Sequence, residues 1–115
     1  MISNEPFGFE FVDGRNGSTR ILRLTGPLVL RNIFDLQRDL ASEHPPMAIF
    51  DLSGVPYMDS AGMGVIANYY VSATRRGQKL VVAGASPRVL ELFKLTHVDT
   101  VIPLAASVEE AERLA

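Results

Sequence analysis

The chain has 115 residues, 47% of them apolar, a length suited to about one domain on a scale of roughly 100 to 200 residues per domain. Thirteen acids against eleven bases leave a net charge of −2, and the bases stand singly or as the pair Arg75-Arg76, so no basic stripe offers itself to nucleic acid. Cysteine is absent, which removes disulfides, thiol nucleophiles and thiolate metal sites together and fits a reducing compartment.

Residues 1–10 contain no basic segment followed by an apolar run, so no secretory leader is expected. The next strong signal is alternation: Phe7, Phe9 and Phe11 in one run, then Ile21 and Arg23 against Leu22 and Leu24 in residues 19–24. Between them lies Asp13-Gly-Arg-Asn-Gly17, which predicts a β-hairpin. After Thr25-Gly26-Pro27, residues 31–43 carry Ile33, Leu36 and Leu40 on one helical face, and Pro45-Pro46 ends the helix. Met47-Ala-Ile-Phe-Asp-Leu52 reads as a buried strand entering a Ser-Gly-Val-Pro loop.

Residues 62–76 form the next helical pattern, with Met63, Ile66, Ala67 and Tyr70 on one side, Val65, Tyr69 and Ala73 beside them, and Arg75-Arg76-Gly77 as its stop. The longest apolar stretch, residues 61–73, is broken by Gly62, Gly64, Asn68 and Ser72 and falls short of the roughly 20 residues that span a bilayer, so a cytoplasmic chain without membrane insertion is expected. Residues 79–84 are a second buried strand. Ser86 and Pro87 open a helix to about Leu95, residues 100–103 a third short strand, and Ser107-Val-Glu-Glu110 a capping box before a terminal helix with Val108, Ala111 and Leu114 inward.

Strand and helix alternate after Met47, so the strands pair in parallel. The expected fold is α/β: one domain over residues 1–115, a single mixed sheet with an N-terminal antiparallel hairpin and parallel strands, and about four helices mainly on one face.

In such a sheet, binding groups collect beyond the carboxyl ends of the parallel strands, where residues 53–62 lie. Ser60 stands just before a helix start. Local chemistry offers its hydroxyl two roles: an N-cap contributing about 1 kcal/mol, or a phosphoacceptor at a point where free N–H groups and the helix dipole tolerate an anion. Beside Asp59, a phosphate would change the face offered to a partner by repulsion and bulk.

Gly62 and Gly64, each costing about 1 kcal/mol of helix propensity, invite an explanation: a relaxed turn and packing on a strand, or close approach of another backbone, including a partner's. Met58 is assigned to the core, and Met63 is expected to be partly exposed and to touch a partner. Gly62-Met-Gly64-Val-Ile-Ala67 formally fits a dinucleotide pattern. The preceding strand ends about ten residues too early, however, and no acid follows roughly twenty residues on. His44 and His97 stand apart without a carboxylate cluster, Ser60 has no nominated base, and Asp51 and Asp59 fit turn capping as well as ion binding. No cofactor, metal or catalytic residue is expected, and the oligomeric state is left open.

Asp51-Leu-Ser-Gly-Val-Pro-Tyr-Met-Asp-Ser-Ala-Gly-Met-Gly-Val-Ile66 resembles the signature of the STAS domain family, the sulfate transporter and anti-sigma factor antagonist domains. Leu22-Arg-Leu-Thr-Gly26, Leu80-Val-Val-Ala-Gly84 and Ser86-Pro-Arg-Val-Leu-Glu-Leu-Phe93 extend the likeness over nearly the whole chain. The resemblance implies the antagonist type: Ser60 as the phosphorylated residue, and a partner that is both anti-sigma factor and serine kinase, bound when Ser60 is unmodified and released on phosphorylation. Asp59, Ala61, Gly62 and Met63 would form the rim of that contact. Three positions depart from the family pattern: Ala61 replaces a common second hydroxyl, and Pro27 and Val29 stand, around Leu28, where acids are common. Alternatives are an unphosphorylated adaptor or scaffold subunit of a stress-signalling complex and, on the glycine pattern, a nucleotide-binding sensor.

Overall fold

The structure is a computed structural model and describes residues 6–114; the first five residues of the stretch read for a leader lie outside the described residues. Five strands form one sheet in the order β1-β2-β3-β4-β5: β1 (Gly8–Asp13), β2 (Thr19–Thr25), β3 (Met47–Gly54), β4 (Lys79–Ala83) and β5 (Leu104–Ala105). The first pair is antiparallel and the other three are parallel, as the alternation of strands and helices requires. Connecting helices are α1 (Ile33–Leu40), entered through a 3-10 turn at Leu30–Asn32, α2 (Ser60–Arg75) and α3 (Pro87–Leu95), with a terminal α4 (Val108–Glu112). Among the described residues no helix is long and apolar enough to cross a membrane.

Period-two alternation sends side chains of the central strands to two separate cores. Leu22, Leu24, Ala48, Phe50, Leu52, Leu80 and Val82 join residues of α1, α2 and α3 in the larger one. Ile21, Met47, Ile49, Val81 and Ala83 face the other way and are covered by Ala111 of α4. Phe50, completely enclosed, stacks tilted on Tyr69 with ring centroids 5.0 Å apart. Burying such a side chain contributes about 1.5–3 kcal/mol.

The structure corrects three details of the reading from sequence. Residues 98–100 are a 3-10 turn, and the last strand is the shorter Leu104–Ala105, because the backbone of the turn bonds to itself (Val101 N–H to the Val98 carbonyl, 3.0 Å) before the chain reaches β4. Leu114 is 53% exposed, since α4 ends at Glu112 and only Ala111 is fully enclosed. The Ser107 hydroxyl does accept from Glu110 N–H at 3.2 Å, but the Glu110 carboxylate reaches back to the N–H of Ala106 (3.1 Å), one residue before the cap.

Candidate functional site

At the carboxyl edge of the sheet, β3 leaves through a tight turn, Val55 N–H to the Leu52 carbonyl, and runs alongside the segment that follows β2. Leu28 and Met58 form an isolated parallel bridge: Leu28 N–H donates to the Tyr57 carbonyl (3.1 Å) and Asp59 N–H to the Leu28 carbonyl (3.3 Å). Leu28 is fully buried. Pro27, one of the departures from the family pattern, is buried beside it and has a packing role, and Asn32 Nδ2 fastens the same loop by donating to the Pro27 carbonyl at 2.8 Å.

Asp59 joins two elements. Its backbone is extended, its Oδ1 accepts from Gly62 N–H at 2.9 Å as the N-cap of α2, and its Oδ2 accepts from Leu30 N–H at 3.1 Å. This corrects the capping role considered for Ser60, which is instead the first residue of α2. The carboxylate takes the cap because it can reach the third helical N–H and the N–H of Leu30 in the 3-10 turn together, and a hydroxyl one residue later cannot. Ser60 is exposed, and among the described residues its hydroxyl has no hydrogen-bond partner.

Gly62 supports the same junction. A Cβ there would lie 2.1 Å from the Leu28 carbonyl oxygen, so the close backbone approach that its glycine permits is made by this chain's own loop. Gly64 has nothing within 4 Å of an added Cβ, so it does not pack against a strand.

The expected rim residues differ in accessibility. Asp59 and Ala61 are half-buried at the surface, and Gly62 is buried. Met63 is only 5% exposed, contrary to the expectation of a partly exposed side chain: three residues before Ile66, it points along the core face and joins the main cluster, while Met58 is half-buried at its edge. Apolar surface near the serine comes from residues that sequence periodicity did not single out. Leu30, held by Asp59, is 58% exposed; Phe34, four positions on in α1, is 65% exposed and lines a groove with Phe7 and Phe9. The visible signal was an apolar residue at each position off the Ile33, Leu36 and Leu40 face.

Arg88, near the start of α3, lies over the Tyr57 ring at 4.9 Å and links α3 to the loop leading to Ser60. His44 and His97 are exposed, and among the described residues no group of three or more His, Asp or Glu side chains is placed to hold a metal ion. Asp51 Oδ1 accepts from Ser53 N–H at 3.0 Å, the turn-capping use anticipated for it.

The family model for the STAS domain matches residues 12–111. The chain belongs to the STAS domain family. A 54-residue segment is 39% identical to an anti-sigma-B factor antagonist of Listeria monocytogenes and covers 47% of each chain, so the matched STAS segment spans about half the length of that curated relative. Among solved structures, an anti-sigma factor antagonist from Mycobacterium paratuberculosis superposes with a TM-score of 0.86 at 18% identity, covering 99% of this chain and 97% of the other. The Bacillus cell fate determinant SpoIIAA in its phosphorylated form gives a TM-score of 0.73 at 16% identity over 94% of this chain and 100% of that one. At these identities the structural likeness shows the STAS fold alone.

Proposed function

We propose that this STAS domain is an anti-sigma factor antagonist, a non-catalytic cytoplasmic switch controlled by phosphorylation of Ser60. In its unmodified form it binds an anti-sigma factor that is also its serine kinase; phosphate on Ser60 breaks the complex. The observation that carries this reading is an exposed, unbonded Ser60 hydroxyl at the start of a sixteen-residue helix, beside a carboxylate whose two oxygens are already engaged. A kinase can take that hydroxyl without breaking any bond of the fold. The phosphate then meets the favourable end of the α2 dipole but stands next to Asp59, so it is tolerated by the domain and alters the face seen by a partner.

Asp59 and Ala61 remain at the surface of the proposed contact, Gly62 supports it from beneath, and Leu30 and Phe34 supply the apolar area assigned from sequence to Met63. The names of the curated relatives support the antagonist reading. Ala61 leaves one hydroxyl at the helix start, so a single phosphate per chain is expected there.

Intact-mass analysis of the protein from its own cells, with and without phosphatase, and affinity capture with wild type, Ser60→Ala and Ser60→Asp test the proposal together. The expected result is one phosphate at Ser60 and capture of a kinase-fold partner by wild type and Ser60→Ala but not by Ser60→Asp. Equal capture by all three proteins, with no phosphate under any growth condition, would replace the switch with a constitutive adaptor.

A further inference from the structure

A second concave site lies away from Ser60, between α1 and α2. Its volume is about 370 Å³, within the range of small-molecule pockets. Leu40 and Val65, both buried, give it an apolar floor, and Gln37, Asn68, Ser72 and Arg76 stand along its walls. No Asp or Glu lines it, whereas Arg76 and His44 do.

Arg76 is the group that gives this groove a chemical preference. Its Nε donates to Gln78 Oε1 at 2.8 Å, and Gln78 Nε2 donates in turn to the His44 carbonyl at 3.0 Å, so the guanidinium is braced from the turn that follows α1. Among the described residues no carboxylate lies within ion-pair distance of it; Glu43, the acid next to the groove, is paired with Arg20 at 3.3 Å. The carbonyls that would make these helix ends repel an anion are largely occupied. Tyr69 donates to the Glu43 carbonyl at 3.1 Å, and the N–H groups of Arg76, Gly77 and Gln78 close the last turn of α2.

We propose that the groove between α1 and α2 binds a small organic carboxylate, its anionic head on the Arg76 guanidinium and its apolar body over Leu40 and Val65. A planar guanidinium matches a carboxylate through two parallel N–H bonds, and the amides of Gln37 and Asn68 can complete the head's remaining hydrogen bonds. A phosphate dianion fits less well, because the groove offers one permanent cation. The site is separate from the Ser60 switch and stands or falls without it.

The test uses the full chain, labelled with ¹⁵N, and benzoate as the probe, with benzamide as its neutral isostere. Saturable shifts confined to the amides and side-chain N–H groups of residues 37, 68, 72 and 76 are expected with benzoate, and binding of benzamide weaker by about tenfold or more. Arg76→Gln should weaken benzoate by a similar factor while leaving the rest of the spectrum in place, and Ser72→Phe, which fills the groove from an exposed position, should abolish the shifts. Shifts that do not saturate, that are equal for benzamide, or that survive Arg76→Gln unchanged would overturn the proposal, as would the absence of shifts at millimolar benzoate.

Discussion

Two neighbouring residues, Asp59 and Ser60, both belong to the set that caps helices, and their division of labour is set by a third residue far away in the chain. Leu30 N–H sits where only the Asp59 carboxylate can reach it while still capping Gly62. Sequence placed the helix start to within two residues but offered Ser60 rather than Asp59 as its cap, because the donor that decides between them lies 29 positions upstream. Unequal stability effects follow for the pair. Asp59→Ala should destabilise the domain by about 1–2 kcal/mol through the lost cap and the unpaired Leu30 N–H, whereas Ser60→Ala, an exposed change that breaks no bond, should stay within about 0.5 kcal/mol in urea unfolding.

The two glycines offer a sharper contrast at the same scale. Gly62→Ala drives a methyl into the Leu28 carbonyl at 2.1 Å, and the backbone must yield, at a cost of about 1–3 kcal/mol. Gly64→Ala meets open space and should stabilise the helix by up to about 1 kcal/mol. Thermal unfolding of both variants side by side checks the pair; equal losses would mean that the Leu28 contact does not set the requirement for glycine.

Among the elements, those with strong periodicity were legible. The face Ile33, Leu36 and Leu40 of α1 is buried as its spacing predicts; on α2 Met63 and Ile66 are buried but Ala67 and Tyr70 only half-buried, because the helix turns the neighbouring Val65, Tyr69 and Ala73 fully into the core. Reading Met63 as a partner contact gave its closeness to Ser60 in sequence more weight than its register with Ile66. The last strand, expected at residues 100–103, lies at Leu104–Ala105, because a two-residue strand carries too little pattern to be positioned. The exposed pair Leu30 and Phe34 gives an element-level prediction. The double variant Leu30→Ser, Phe34→Gln should unfold within about 0.5 kcal/mol of wild type in urea, since neither side chain is enclosed, yet bind the proposed anti-sigma partner at least about tenfold more weakly by calorimetry.

For the molecule as a whole, the mixed sheet with about four helices mainly on one face was readable because strand and helix alternate after Met47; that α4 alone covers the other face was not. The position of the Pro27–Leu30 segment was not readable, since its partner is a loop without periodicity. Stability of the whole has one clear alkaline limb. Burial holds the Tyr69 phenol above its ordinary value, with Arg76 opposing and Glu43 reinforcing the shift. The unfolded chain therefore loses this proton first, so stability is complete below about pH 10 and falls as pH rises toward the folded pKa. Urea unfolding across the alkaline range should show this decline in wild type and a smaller one in Tyr69→Phe, which also forfeits about 1 kcal/mol with the bond to the Glu43 carbonyl.

Strand order in space is identical to strand order in the chain. Each strand from β2 onward can dock on the one made just before it, so during synthesis the growing sheet has its next edge ready and no strand must be inserted between two already paired. The larger core gathers as α1, α2 and α3 emerge, and the smaller one waits for α4, which is made after all three. Until then Ile21, Ile49 and Val81 lack their α4 cover, which makes the interval before α4 docks the point at which a nascent chain is most open to chaperones and to self-association.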